Sequence, residues 1–168
     1  MRRLAAILCM VALLPVALAE EETSQGSYVG VSGALVLPQG GSRLDRAGGG
    51  LLRAGVCLAE DWSIEASAGQ LERYTAFGAN ALVHFYTFDI YDRFFGYSAF
   101  DPFFTVGANG WLDGRRGQVG PSAGVGTFWH LDDNWSIRFD ATATLGLDGD
   151  AEMVYSVSAG IQYSFGGL

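Results

Sequence analysis

The chain has 168 residues, 24 of them glycine, with 17% charged and 13% aromatic residues and a formal net charge of −8. Its ten basic residues are all arginine and form no patch, which excludes the electrostatic footprint of a nucleic-acid binder. The length suits one domain, and past the N-terminal leader no continuous apolar run is long enough for a membrane helix.

The first nineteen residues read as a secretory signal peptide. Arg2 and Arg3 form a basic start, Leu4 to Leu14 an apolar core ending at Pro15, and Ala17-Leu18-Ala19 a small-residue cleavage site before Glu20. The core is too short to span a bilayer, and Cys9 lacks a lipoprotein-like context. Cleavage after Ala19 leaves 8 arginines against 18 acidic residues and Cys57 as the lone cysteine, so no intrachain disulfide forms. The expected division is signal peptide 1–19, a short N-terminal segment 20–27, and one barrel domain 28–168. A small exported domain without disulfides needs another constraint, and a closed sheet supplies one.

From Val29 onward the hydrophobic period is two, broken by Gly, Asn, Asp and Pro. Val29, Val31, Leu35 and Leu37 alternate with Gly30, Ser32 and Ala34. Leu52, Ala54, Val56 and Leu58 oppose Arg53, Gly55 and Cys57; the preceding Gly48-Gly49-Gly50 reads as a flexible entry to this second strand. Trp62, Ile64, Ala66 and Ala68 oppose Ser63, Glu65, Ser67 and Gly69. Ala79, Ala81, Val83 and Phe85 oppose Asn80, Leu82 and His84. Phe104, Val106 and Ala108 oppose Thr105, Gly107 and Asn109. Val119, Ala123, Val125 and Trp129 oppose Ser122, Gly124 and Gly126. The two clearest strands come last. From Trp135 to Gly146 every odd position is apolar and no even one is; from Met153 to Phe165 the odd positions are apolar, with Val154 the exception on the other face.

Eight strands of roughly 9–11 residues match an even-numbered barrel that crosses a bilayer at a tilt. The polar face carries Gly, Ser, Thr and Asn with isolated charges. That is too small and sparsely charged for a water-facing surface, but it suits a narrow lumen filled by side chains. With a periplasmic N-terminus, one end carries Glu60-Asp61, residues 87–101 and Asp132-Asp133-Asn134; the other carries 38–48, 72–74, 112–117 and 147–151. Aromatics fall beside both ends: Trp62, Phe85, Trp129, Trp135, Tyr163 and Phe165 at the first, and Tyr74, Phe77, Trp111 and Tyr155 at the second. They read as two interface girdles. The aromatic-rich stretch Tyr86 to Phe100 reads as a long turn at the membrane–water boundary.

Two turn-to-strand units, Asp61-Trp62-Ser63-Ile64 and Asn134-Trp135-Ser136-Ile137, and the final Ser158-Ala159-Gly160-Ile161-Gln162-Tyr163-Ser164-Phe165 carry a resemblance. Residues 28 to 165 resemble the small eight-stranded outer-membrane barrels, the OmpA-like and opacity-type porin domains. That resemblance implies an antiparallel up-and-down transmembrane β-barrel, surrounded by outer-membrane lipid and lipopolysaccharide and inserted by the barrel assembly machinery. Ser158, Gly160, Tyr163 and Phe165 resemble the signal that machinery reads. Gly166-Gly167-Leu168 depart from the usual ending on the last aromatic.

The paired turn units place Glu65 and Arg138 at equivalent positions on the third and seventh strands, which face each other across an eight-stranded lumen. The expected ion network is Glu65 with Arg138, with Asp140 and Arg53 nearby, because an unpaired charge there is costly. Hairpin counting sets Arg138 near Gly126 and Gly160. Other chemistry is thin. Gly120-Pro121-Ser122-Ala123-Gly124 matches a nucleophile elbow in letters, but it opens a strand rather than a strand–turn–helix. Neither His84 nor His130 has the serine spacing of a lipid A deacylase, and His84 reads as a lumen hydrogen-bonding residue. Asp148, Asp150 and Glu152 lack calcium-loop spacing and read as a solvated acidic turn.

The sequence therefore points to a non-enzymatic, monomeric structural barrel of the outer membrane, without cofactor, metal or nucleic acid. The alternatives are a narrow channel for ions or small solutes, then a lipid-modifying enzyme, then a soluble periplasmic barrel with its faces reversed. Intact mass of the exported protein is expected to place its N-terminus at Glu20; a mass retaining residues 1–19 would contradict the leader.

Overall fold

The computed structural model describes residues 26–39, 44–59, 61–85, 100–114, 116–147 and 152–165. The signal peptide, the stretch 86–99 and the pair Asp148 and Asp150 lie outside these residues. Eight strands follow one another: β1 (Ser27–Pro38), β2 (Ala47–Ala59), β3 (Trp62–Leu71), β4 (Tyr74–His84), β5 (Phe100–Asp113), β6 (Arg116–His130), β7 (Trp135–Gly146) and β8 (Glu152–Phe165). Each pairs antiparallel with its neighbour in sequence, and β1 pairs with β8 from Ser27↔Phe165 to Pro38↔Val154, closing an up-and-down barrel. First and last strands therefore meet at one end, the terminal end. The opposite end is the far end.

The pleat sends alternate side chains in and out. Large apolar residues face outward and stay exposed, among them Phe104 at 53%, Val106 at 56% and Val125 at 52%, whereas Ser63, Glu65, Arg138 and Ser136 are buried within. The distribution is inverted relative to a water-soluble barrel.

Local chemistry sets the turns. Between β6 and β7 the Asp132 carboxylate accepts from the Asn134 N–H (2.9 Å) and the Trp135 N–H (2.7 Å), which reverses the chain as an Asx turn. At the far end Leu71 pairs with Tyr74, leaving Glu72-Arg73 as a two-residue hairpin loop with Glu72 at φ 49°.

The strands are longer than the alternation alone suggested, at 10 to 15 residues. Gly48-Gly49-Gly50 is not a flexible entry; it lies inside β2, paired with β1 throughout and with β3 from Gly49 onward. At Gly49 the reason is steric. β2 and β3 approach so closely that a Cβ on Gly69 would sit 2.0 Å from the Gly50 carbonyl oxygen, and one on Gly49 2.1 Å from that of Gln70. Only glycine allows this contact in a tightly coiled small barrel.

The second aromatic girdle also differs from expectation. Phe77 and Tyr155 point outward, but Tyr74 and Trp111 are buried inside, 3% and 4% exposed. Both share the parity of the lumen face, Tyr74 with His84 and Trp111 with Thr105. They join Val36, Ala47, Leu71, Ala76 and Val154 in an apolar cluster that closes the far end, with Leu44 and Leu51 packed against it. A smaller cluster of Leu82, Phe103 and Phe128 lies toward the terminal end. The lumen is thus layered rather than uniformly polar.

Gly69→Ala is expected to lower the stability of the folded barrel by about 1–3 kcal/mol, the usual cost of overpacking, in urea titrations in lipid. Gly50→Ala, in the same pair of strands but with its added carbon no nearer than 3.9 Å to any neighbour, is expected to cost less than about 0.5 kcal/mol. Equal losses would contradict the close approach of β2 and β3.

Candidate functional site

The centre of the lumen holds four charged side chains from three strands: Arg53 on β2, Glu65 on β3, and Arg138 and Asp140 on β7. Arg53 Nη1 donates to Glu65 Oε1 at 3.0 Å, and Arg138 Nη1 donates to the other oxygen, Oε2. Arg138 Nε donates to Asp140 Oδ1 at 2.7 Å, and Arg53 Nη2 lies 3.3 Å from the same carboxylate. Two cations and two anions close a neutral ring. Their side chains are between 0% and 9% exposed.

Neutral donors and acceptors complete the ring. The Tyr28 hydroxyl donates to Glu65 Oε2 at 3.0 Å. Arg53 also donates to Ser32 Oγ (3.2 Å) and Ser158 Oγ (2.7 Å), and Ser158 donates to Asp140 Oδ2 at 2.9 Å. The Arg138 guanidinium lies over the rings of Phe103 (5.0 Å) and Phe128 (5.3 Å), which shield it from water and attract it through their faces. Full pairing is what makes burial of four charges tolerable, since each alone would cost several kcal/mol.

Of the two glycines set beside Arg138 by hairpin counting, Gly160 is its register partner on β8. Gly126 is not: it pairs with Asp140, and Phe128 stands opposite Arg138. The count slipped by two residues on β6. Gly126 has a different task, because a Cβ there would meet the Phe103 ring at 2.3 Å. Tyr28, Ser32, Phe103 and Phe128 were not singled out from sequence as partners of the charges. Their only signal there was parity with the polar face.

A second polar group sits toward the terminal end. His84 Nε2 lies 2.9 Å from Ser63 Oγ and His84 Nδ1 2.7 Å from Asp101 Oδ2. The connectivity is that of a serine hydrolase, but the Ser63 residue is 0% exposed and the His84 ring stacks on Phe128 at 5.9 Å, so no acyl carbon reaches the hydroxyl. His130 Nδ1 contacts Ser136 Oγ at 2.8 Å. The residues Gly120 to Gly124 lie within β6, paired with β5 throughout and with β7 from Ser122, and Ser122 donates to Asn80 Oδ1 at 3.1 Å; no elbow forms. Among the described residues no group of three or more His, Cys, Asp or Glu side chains is arranged to hold a metal ion. Glu152 opens β8 opposite Gly146.

At the far rim Arg73 pairs with Asp45 (2.5 Å) and Asp113 (3.5 Å), and the Tyr74 hydroxyl accepts from the Asp45 N–H (3.1 Å) and from Arg73 Nη2 (2.7 Å). These charges are exposed, so their pairing is worth little. At the terminal end of the C-terminal strand, Tyr163 and Phe165 face outward, with rings in edge contact at 5.0 Å, while Ser158 lies inside.

A closed eight-stranded antiparallel barrel, apolar outside and ion-paired inside, is the fold of the small transmembrane β-barrels. Solved structures with this fold include Neisserial surface protein A (14% identity, 85% of this chain and 98% of that one, TM-score 0.59). The N-terminal β-barrel domain of OprF from Pseudomonas aeruginosa is similar too (15%, 82% and 97%, 0.57), as is a de novo designed transmembrane β-barrel (13%, 87% and 99%, 0.57). No family model and no curated protein sequence matches the chain.

Arg138→Met leaves Glu65 and Asp140 short of a partner and is expected to cost about 3–5 kcal/mol of stability. Adding Glu65→Leu removes one orphaned charge and is expected to restore part of that loss. A double variant no more stable than Arg138→Met alone, by urea unfolding in lipid, would contradict the ring.

Proposed function

We propose that this chain is a structural β-barrel of the bacterial outer membrane that contributes to envelope integrity and has no enzymatic activity. The observation that carries the reading is the inversion of faces: a belt of half-exposed aliphatic and aromatic residues surrounds a lumen that pairs its charges internally. An exposed apolar surface this continuous is stable in lipid and a liability in water. The terminal end supports it further. Trp62, Phe100, Trp129, Trp135 and Phe165 are all exposed there, with Phe100 stacked on Trp129 at 5.5 Å and Trp135 edge-on to Tyr163 at 5.0 Å. Such a girdle sits at a membrane–water interface.

The chain reaches that membrane through cleavage of the leader after Ala19, in this reading, and inserts with Ser158, Gly160, Tyr163 and Phe165 serving as the strand read by the assembly machinery. The outward-facing rings of Tyr163 and Phe165 support that reading. Lipid and lipopolysaccharide surround a monomer. The filled lumen favours a plug over the narrow-channel alternative.

Expression of the full chain in a Gram-negative host tests this. The protein is expected in the outer-membrane fraction, with faster gel mobility unheated than heated. A periplasmic protein without a heat shift would contradict the reading.

A further inference from the structure

The charged ring lies between two apolar fillings of the lumen: the cluster at the far end, and the smaller Leu82–Phe103–Phe128 cluster, which comes from only three strands and shares its level with the polar Ser63 and His84. Between the charged ring and the apolar cluster at the far end lies a cavity of about 50 Å³. Arg53, Arg138 and Asp140 line it on one side, Val36, Leu71 and Trp111 on the other. Ser67, Asn80 and Thr142 supply polar walls, so it is a place for a few waters. Water and small ions would be solvated there and by the charged ring itself. They would find no ligand in the cluster beyond.

That cluster draws on six of the eight strands: Val36 on β1, Ala47 on β2, Leu71 on β3, Tyr74 and Ala76 on β4, Trp111 on β5 and Val154 on β8. Thr144 on β7, also 0% exposed, lies beside it as the register partner of Val154. Val154 and Leu71 are 0% and 1% exposed, so both are fully packed within this layer. The one hydroxyl identified among the cluster's members, on Tyr74, is engaged at the rim by Arg73 and the Asp45 N–H. An ion entering this layer must shed its hydration shell with little beyond the Thr144 hydroxyl, buried and unpaired among the described residues, to replace it, which is how apolar constrictions exclude ions.

We infer that the permeability barrier of this barrel is the apolar plug around Leu71, Trp111 and Val154, and that the charged ring is not the seal. The inference rests on the reading of the chain as a membrane-inserted barrel. Its consequence is that dismantling the ring leaves the barrel closed.

The test is ion conductance of the full chain in planar lipid bilayers, with the heat shift reporting folding of every variant. The unchanged protein and the charge-balanced Glu65→Ser/Arg138→Ser variant are both expected to give no channels. Adding Leu71→Ser and Trp111→Ser to that variant is expected to raise the current at least tenfold over its baseline. Trp111→Ser alone on the same background is the second variant, should the quadruple one not fold. Conductance by the Glu65→Ser/Arg138→Ser variant with an intact plug would overturn the inference, and so would continued closure of the folded quadruple variant. Absence of a heat shift in the unchanged chain would contradict the membrane reading itself, and channels formed by the unchanged chain would contradict the filled lumen.

Discussion

In the hydrocarbon of a bilayer each unpaired backbone N–H or C=O costs several kcal/mol, so a sheet that crosses it has to close. Here the closing contact is the ladder between β1 and β8, twelve register pairs from Ser27↔Phe165 to Pro38↔Val154. Eight strands closed in this way leave an interior just wide enough for side chains. That narrowness fixes the rest: what points inward has to fill space, and what is charged has to find its partner within reach.

The charged ring and the apolar plug are two answers to the same constraint. Arg53, Glu65, Arg138 and Asp140 fill the centre at zero net charge, each bonded to at least two of the others or to Ser32, Ser158 or Tyr28. Ring closure of this kind is weak evidence for added stability, because hydrophobic residues of equal volume serve as well. It is strong evidence for register. A strand slipped by one residue would turn Glu65 or Arg138 to the apolar outer face, so pairing across the lumen disfavours such a slip. The glycines of β2 and β3 act at the opposite scale, permitting backbone contact where no side chain fits.

The number of strands, their order and their inward parity were legible because a period of two is unambiguous once repeated eight times. The proximity of Glu65 and Arg138 was legible from the repeated turn units ahead of them. The aromatic content of the lumen was not. Phe103, Phe128, Tyr74 and Trp111 are apolar residues on a face defined by Ser, Gly and Asn, and an aromatic near a strand end reads equally as interface girdle or as lumen filler. Strand parity, carried from Asn109 to Trp111 and from His84 back to Tyr74, settles the choice. Gly48-Gly49-Gly50 points the opposite way: a glycine run signals a loop in local propensity, whereas it lies within a strand, where close packing of β2 on β3 demands glycine at Gly49. The slip from Phe128 to Gly126 opposite Arg138 came from the β6–β7 turn, whose Asx geometry fixes a register that hairpin counting does not resolve.

The central claim is the direction in which each face points, and the four tryptophans report it. Trp62, Trp129 and Trp135 are 42–46% exposed near the terminal end, whereas Trp111 is 4% exposed inside the plug. Single-tryptophan variants, with the other three changed to Phe, would be reconstituted in lipids brominated near the headgroup or along the acyl chain. The account predicts strong quenching of Trp62, Trp129 and Trp135 by shallow bromines and little quenching of Trp111 at any depth. Quenching of Trp111 equal to the others, or of none of the four, would contradict it.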